Sequence, residues 1–471
     1  MATSPLTCGI DIGTTNVKVL LIDELARTLW CRSIPVPRID EDGRPATDGG
    51  TLVRTLEQLI VEGWRATGAS SPLAAIATTG VGEDGLPVNA RLEPLDAAIP
   101  WFDRRAESEA EALRPLLDQP VRAGVPIDGT RTAAKWRWLR KHRPQVLSDA
   151  SVWIALSDYP AAWWCQAPFI SETLAARTGC YDVFAREWID SHLKAAAAPA
   201  LPPVARAGTV VGTVARGPLL DSGAVSSSTL VVSGGHDHPV AASVVRRIDP
   251  SAVVDSLGTA NLVYGETAVV APRADPYIAF SVPVLGGPGV ACLGVYEFSA
   301  SLETSRAPDA GSSLRALLTA EDAPDEPGDE QRILRALRKT LGVRLPGDEA
   351  SGSEDPRTLL EAGCFYARRM LEAVRASGAS GERVYSVGGW ARSRALLRLR
   401  ASVLGEPLYT LDEPELTALG AALIARDAAG RGAVDALRRD AQVVYPEPNW
   451  QARYGKTYLK VQDALRTWKE S

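Results

Sequence analysis

Histidine is scarce in this chain: His142, His192, His236 and His238 are the only four among 471 residues. The one close pair, His236 and His238, has no third ligand in sight, which makes it a poor metal site. Cysteine is sparse as well. Cys8, Cys31, Cys165, Cys180, Cys292 and Cys364 are scattered and form no CxxC pair, so free thiols in a reducing cytosol are expected. Excess positive charge is also lacking. The net charge of -6 and pI near 5.5 argue against the broad basic face that nucleic acid or an anionic membrane requires. No stretch is apolar and long enough to span a bilayer. The opening MATSPLTCGIDIG has neither the basic nor the apolar region of a secretory signal, and a cytoplasmic location is expected.

What is present suits a soluble α/β protein. Hydrophobic residues make up 45% and charged residues 23%, enough apolar material for two cores in a chain of this length. Cys8–Ile12 and Val17–Asp23 are apolar runs separated by Gly13-Thr14-Thr15-Asn16, which predicts two strands and a turn. A third strand is expected over Thr28–Val36, an amphipathic helix over 48–68, a strand over Leu73–Thr79, and helices over 103–118 and 131–149. Thr209–Val214 and Thr229–Val232 follow as strands, with a helix starting at Pro239. Residues 305–357 are rich in Asp, Glu, Pro and Gly, with one helical pattern near 329–342, and read as a solvated segment. Helices are expected over Arg357–Ala376, 393–404 and Leu416–Asp427, with a strand at Val384–Val387.

The chain also repeats itself. GIDIGTTNVKVLLI at 9–22 and VDSLGTANLVY at 254–264 share a strand, a Gly-Thr-Thr/Ala-Asn turn and a second apolar run. A recurrence half a chain apart suggests two copies of one hairpin unit, one per domain.

Four segments carry chemistry. A Gly-Thr turn offers backbone N–H groups and hydroxyls to phosphate oxygens, with Asp11 placed to hold a hydrated Mg²⁺ and Lys18 adding positive charge. Gly234-Gly235-His236-Asp237 puts a carboxylate at the end of a strand, where α/β sheets bind ligands and where it can orient an attacking hydroxyl. Trp101-Phe102-Asp103-Arg104-Arg105 joins aromatic rings to charged groups, a combination that suits sugars. Glu83-Asp84 supplies hydrogen-bond acceptors for a polyhydroxyl ligand and repels an acid. Taken singly, each also reads as an ordinary turn or helix cap.

In their order and spacing these segments resemble the FGGY family of carbohydrate kinases. The resemblance runs through GIDIGTTNVKVLLID at 9–23, WFDRR at 101–105, LSDYPAAW at 156–163, SETLAARTGCYDV at 171–183, GGHDHPVAA at 234–242, SLGTAN at 256–261, GGWARSRALLRLRASVLGEPL at 388–408 and TALGAALIA at 417–425. It implies an α/β fold of two actin-like, ribonuclease H-like domains with an interdomain active-site cleft. The N-terminal sugar-binding and catalytic domain would span 1–243 and the C-terminal nucleotide-binding domain 244–471. It implies ATP and Mg²⁺, a small sugar or polyol as substrate, and Asp237 as catalytic base. Gly13, Thr14, Thr15 and Lys18, with Gly258, Thr259, Gly388, Gly389 and Ser393, would serve the nucleotide. Glu83, Asp84, Trp101, Asp103, Arg105 and His236 would serve the sugar, and Asp11 with Asp237 the metal. Neither nucleic acid nor membrane is an expected partner, whereas a second copy of the chain is admitted as one.

Three departures stand out. Trp390 occupies the place of a usual third glycine, the segment Gly352-Ser353-Glu354-Asp355-Pro356 is shortened, and Glu83-Asp84 is neither the Met-His of xylulokinases nor the Arg-Glu of glycerol kinases. The acidic pair favours a neutral ketose, such as a pentulose, over a sugar acid. A non-kinase actin-like ATPase and a sugar-binding pseudokinase are the rival readings.

Overall fold

The computed structural model describes residues 4–257, 261–271, 278–296, 327–340, 355–379, 381–431 and 441–468. The chain forms two compact units. The first comprises Met1–Ile248, Phe280–Ala291 and Glu415–Arg438; the second comprises Asp249–Ala279, Cys292–Pro414 and Arg439–Ser471. The first unit thus takes in two later segments beyond the expected 1–243.

The first unit is built on a six-stranded sheet. Its strands are β1 (Thr7–Ile12), β2 (Asn16–Ile22), β3 (Thr28–Pro35), β4 (Ala75–Gly80), β5 (Val210–Thr213) and β6 (Leu230–His236), in the spatial order β5-β6-β4-β1-β2-β3. β1 to β3 form an antiparallel meander, whereas β1, β4 and β6 run parallel. Every residue of β1 and β4 is buried, as a strand covered on both faces requires.

One face is covered by α1 (Gly49–Ala66), whose first turn is capped by Asp48 accepting from the Thr51 N–H at 2.7 Å. Leu52, Leu56, Leu59 and Ile60 recur at helical spacing and pack with Cys8, Ile10 and Ile76. The opposite face, carrying Ala75, Ala77 and Val232, meets α2 (Asp237–Ile248) and α3 (Leu416–Ala428) through Val240, Ala421, Ile424 and Ala425. Here the backbones nearly touch. A Cβ on Gly9 would lie 2.0 Å from the Ala418 carbonyl oxygen, which accounts for the alanine-rich composition of α3.

The second unit repeats the plan. Its sheet comprises β7 (Val253–Leu257), β8 (Asn261–Thr267), β9 (Ile278–Ser281), β10 (Val290–Tyr296), β11 (Val384–Val387), β12 (Leu408–Thr410) and β13 (Gln442–Val444), ordered β9-β10-β8-β7-β11-β12-β13, with the end of β9 and the start of β10 belonging to the segment Phe280–Ala291 grouped with the first unit. β7 pairs antiparallel with β8 and parallel with β11, which is parallel to β12. The run β10-β8-β7-β11-β12 therefore reproduces β3-β2-β1-β4-β6. Both units carry the ribonuclease H-like core, and the sequence echo is a duplicated hairpin. Ile12 pairs with Val17 at the end of the first hairpin ladder and Leu257 with Asn261 at the end of the second. In the second unit Asp255 is buried and bound by Arg400, with Nε at 2.5 Å, and by the Ser386 hydroxyl at 3.2 Å.

Most expected elements are present, with three differences of extent. The helix expected over 131–149 is two, Thr132–His142 and Pro144–Asp149, because Pro144 disfavours helical geometry at Arg143. The helix expected over 103–118 is confined to Glu107–Leu113 with a 3-10 turn to Leu116. β6 continues four residues past the expected end at Val232 to His236, so α2 begins at Asp237 rather than Pro239. Within 305–357 a helix spans Glu330–Thr340, and most of the remainder lies outside the described residues. None of the six cysteines is in a disulfide. Among the described residues no helix is long and apolar enough to cross a membrane.

Candidate active site

The parallel strands β1, β4 and β6 end side by side, with Ile12 in register with Gly80 and Gly80 with His236. Three of the motifs singled out in the sequence therefore leave the sheet at one edge: the Gly13–Thr15 turn, the Val81–Asp84 segment, and His236-Asp237. Glycine at Gly80, Gly234 and Gly235 serves this convergence. A Cβ at Gly80 would fall 2.2 Å from the Ile12 carbonyl oxygen, and one at Gly234 would fall 2.2 Å from that of Thr78. Gly235 has φ 127° and follows a bulge, and a Cβ there would meet the Thr173 hydroxyl. The pair Gly234-Gly235 thus admits neighbouring protein atoms.

Asp237 opens α2, where the helix terminus favours a negative charge. Its Oδ1 accepts the His238 N–H at 2.7 Å and lies 3.2 Å from His236 Nε2 and 3.8 Å from His238 Nε2. Its Oδ2 has no partner among the described residues. His236 is buried, and burial pushes its pKa down to about 3 against the opposing pull of Asp237. It stands beside Asp237 as a neutral imidazole.

Asp11 is buried on β1, directly across the ladder from Lys18 on β2. Lys18 Nζ lies 3.7 Å from Asp11 Oδ2 and 2.7 Å from Glu415 Oε2. Burial raises the Asp11 pKa to about 7; Lys18 opposes the rise, and Asp237 and Glu415 add to it. Burial acts against the charge on Lys18, but Asp11 and Glu415 outweigh it and its pKa is raised. Lys18, expected to face a phosphate, is thus engaged by two carboxylates. Asp11 Oδ1 is buried with no hydrogen-bond partner. A partnerless carboxylate oxygen beside a second carboxylate fits a hydrated divalent cation, which takes few protein ligands. Among the described residues no group of three or more His, Cys, Asp or Glu side chains forms a metal cage, and the His236/His238 pair gains no third ligand.

The first turn is closed by the Gly13 N–H donating to the Asn16 carbonyl at 3.0 Å. Thr14 is held from two sides. Its hydroxyl accepts from Trp101 Nε1 at 2.8 Å, and its carbonyl accepts from Arg38 Nη2 at 2.7 Å. Thr15 accepts the Val36 N–H through its carbonyl and is otherwise exposed. The Trp101 segment and the Gly-Thr turn are therefore one assembly. Within that segment Arg105 donates to Asp103 at 2.8 Å and to Glu41 at 3.0 Å, and packs over the Trp138 ring. Asp103 and Arg105 hold each other, so Arg105 orients Asp103.

Glu83 and Asp84 are both buried. Glu83 accepts from Arg177 Nε at 2.9 Å and from Arg131. The cations, Arg177 first, outweigh the burial that opposes them and hold its carboxyl well below the usual range. Burial moves the Asp84 pKa the other way, to about 6, although Lys135 Nζ stands 3.6 Å from Oδ1. Arg38 adds positive charge to this group. The acidic pair of the sequence is therefore a cluster in which four cations accompany two carboxylates. Arg38, Arg131, Lys135, Arg177 and Glu415 were missed by sequence reasoning, since each lies tens to hundreds of residues from its partner and no local pattern marks it.

In the second unit Gly388 has φ 98° and passes close to the Leu257 carbonyl, and a side chain on Gly389 would meet open space. Ser393 caps the helix Arg394–Leu404 through the Leu396 N–H at 3.2 Å. Trp390 is half-buried. Gly258 and Thr259 lie outside the described residues.

Two adjacent carboxylates, a serviced Gly-Thr turn and an aromatic wall bonded to it define a site suited to group transfer onto a hydroxyl. Comparison with known proteins gives the class. Residues 6–243 match the N-terminal domain, and residues 347–429 the C-terminal domain, of the FGGY family of carbohydrate kinases. The chain belongs to that family and is an ATP-dependent carbohydrate kinase. It is 27% identical over 460 residues to a xylulose kinase of Streptomyces coelicolor, covering 89% of this chain and 87% of that one. Among solved structures, the xylulose kinase from Rhodospirillum rubrum superposes with a TM-score of 0.80 at 20% identity, covering 99% of both chains. A Plasmodium falciparum glycerol kinase with ADP superposes at 0.78 with 17% identity and 98% coverage of each. These two establish the actin-like two-domain fold.

Proposed function

We propose that this kinase transfers the γ-phosphoryl group of ATP to a hydroxyl of a small neutral sugar, a ketose such as a pentulose, with Asp237 as the base. One observation carries the reading. Asp237 stands beside Asp11 at the carboxyl edge of three parallel strands, its Oδ2 without a partner among the described residues. The xylulose kinase of Streptomyces coelicolor supports the acceptor class.

In this reading Asp237 Oδ2 accepts the acceptor hydroxyl and aligns it for in-line attack, taking the proton late in a loose transition state. The hydrogen bond from His238 N–H and the neutral His236 fix the carboxylate while leaving that oxygen available. Gly13, Thr14 and Thr15 offer amides and a hydroxyl to phosphate oxygens. The bond from Trp101 to Thr14 keeps the acceptor wall and the phosphate turn in one geometry. Gly258, Thr259, Gly388, Gly389 and Ser393 serve the nucleotide from the second unit. Asp11 and Asp237 would hold Mg²⁺, which would neutralise charge on the transferring phosphate. Asp84, Asp103 and the Trp101 ring would contact the acceptor, with Lys135 beside Asp84, Arg105 holding Asp103 and Thr14 bonded to Trp101.

A second reading has a specific basis. Arg38, Arg131, Lys135 and Arg177 outnumber Glu83 and Asp84, so the repulsion of acids expected from the sequence is cancelled and a sugar acid becomes an admissible acceptor. Both are tested by measuring ADP release from Mg·ATP with a panel of ketoses, polyols and aldonates. The reading predicts release that requires an acceptor and is fastest with a ketopentose. Fastest release with an aldonate would favour the second reading. Acceptor-independent hydrolysis would make the chain an ATPase, and acceptor binding without turnover would make it a pseudokinase.

A further inference from the structure

A polar cavity lies within the first unit, with a volume of about 350 Å³ and with neither Asp11 nor Asp237 among its lining residues. That size falls within the range of small-molecule sites. Three guanidinium groups line it, from Arg186, Arg206 and Arg247, against two carboxylates, from Glu172 and Asp427. They are unequally compensated. Arg247 pairs with Asp427 at 2.7 Å, but its Nε is buried and has no hydrogen-bond partner. Arg186 donates to the carbonyls of Gly287 and Gly289 at 2.7 and 3.4 Å, which satisfies its hydrogens without neutralising its charge. Arg206 is exposed and pairs with no carboxylate among the described residues. Glu172 is committed to the Tyr181 hydroxyl at 3.1 Å. The remaining wall is apolar, including Val284 and Ile424.

An unpaired guanidinium, a buried donor without an acceptor and an apolar wall around one space call for a ligand that is an oxyanion at one end and uncharged at the other. We propose that this cavity binds a small organic phosphate monoester, its phosphate on Arg206 and Arg247 and its body against Val284 and Ile424. Guanidinium forks match phosphate oxygens in pairs, and the apolar wall gives an ester more contact than free phosphate would have. The cavity also reaches the catalytic strand. Thr173 lines it, and its hydroxyl accepts the His236 N–H at 2.8 Å. An occupant would therefore sit one hydrogen bond from the residue preceding Asp237.

The test is calorimetric titration of the full chain with glucose 6-phosphate and, separately, inorganic phosphate. Saturating magnesium and a non-hydrolysable ATP analogue keep the nucleotide site filled. The expected result is one glucose 6-phosphate per chain and weaker binding of inorganic phosphate. R206A should weaken the ester at least ~10-fold, the loss of one charge-assisted contact. A428F, which fills the cavity from its wall, should abolish binding. R206A is a surface change outside the catalytic set and should leave turnover without added phosphate unchanged. Binding of equal strength in the wild type, R206A and A428F would assign the ester to the acceptor site and overturn the proposal. Absence of binding at millimolar concentration, or inorganic phosphate binding as tightly as the ester, would overturn it as well.

Discussion

Asp158 offers a quantitative test of how the site is supported. It is fully buried, and its carboxylate accepts the Ser171 N–H and the Ser171 hydroxyl, each at 2.6 Å. That hydroxyl lies 2.9 Å from Ser233 on β6, the strand that ends at His236. No cation is among its partners, and burial raises its pKa from 3.8 to about 7, the two Ser171 bonds opposing the rise. The native state therefore binds this proton more tightly than the unfolded chain does. The stabilisation that follows is complete below about pH 4 and is lost as pH rises through about 7. At pH 8 the buried charge costs about 4 kcal/mol, from a pKa raised by roughly three at about 1.36 kcal/mol per pKa unit.

Asn keeps the shape and carries no charge. Its oxygen can accept the Ser171 N–H, and its amide can donate to the Ser171 hydroxyl. D158N should match the wild type near pH 4 and be more stable at pH 8 by about 2–4 kcal/mol, the lower figure allowing for relaxation around the charged form. Urea unfolding at both pH values measures this, with an unchanged denaturant slope as the control. A D158N protein that is less stable by the same amount at pH 4 and pH 8 would refute the reasoning, because the charged hydrogen bonds would then outweigh desolvation.

Other substitutions probe the remaining parts. E83Q leaves Arg177 and Arg131 without a carboxylate in a buried setting and should cost about 3–5 kcal/mol of stability; urea unfolding showing a loss below ~1 kcal/mol would make the cluster energetically idle. W101F keeps a ring against the acceptor but loses the hydrogen bond to Thr14. It should lower kcat/KM by roughly 3- to 10-fold, in line with one bond of about 0.5–1.5 kcal/mol, and steady-state kinetics would detect an unaltered value. W101A removes the ring as well and should raise the acceptor KM more than the ATP KM; the opposite pattern would move Trp101 out of the acceptor site.

Both hairpins could be read from sequence because their information is local: two apolar runs and a Gly-Thr turn leave few alternatives, and the second copy confirmed the first. The parallel partners β4 and β11 were equally plain as short apolar runs. The end of β6 was not. Gly234 and Gly235 look like a loop, yet they continue the strand, and the atoms closest to a side chain there, from Thr78, Thr173 and Ser171, arrive from distant parts of the chain. Pro144 did mark the break after His142, and a strict reading of the residue before proline would have found it.

The site divides in the same way. Asp11 was placed correctly near the end of β1, whereas Asp237 follows β6 directly only because that strand runs four residues further than expected. The charge on Glu83-Asp84 was misjudged because Arg131 and Arg177 lie 48 and 94 residues from Glu83. Charge compensation depends on tertiary neighbours, and composition near the motif carries no record of it. Lys18 was seen as a cation, but Glu415, which holds it, comes from the start of α3 far along the chain.

The central claim rests on the Asp237 carboxylate as proton acceptor and aligner. Turnover of D237N, measured with saturating Mg·ATP and the best acceptor, tests it most directly, alongside nucleotide affinity in the same protein. Turnover should fall by roughly 10²–10⁴-fold, with ATP binding largely unchanged. Turnover close to the wild-type rate would contradict the account.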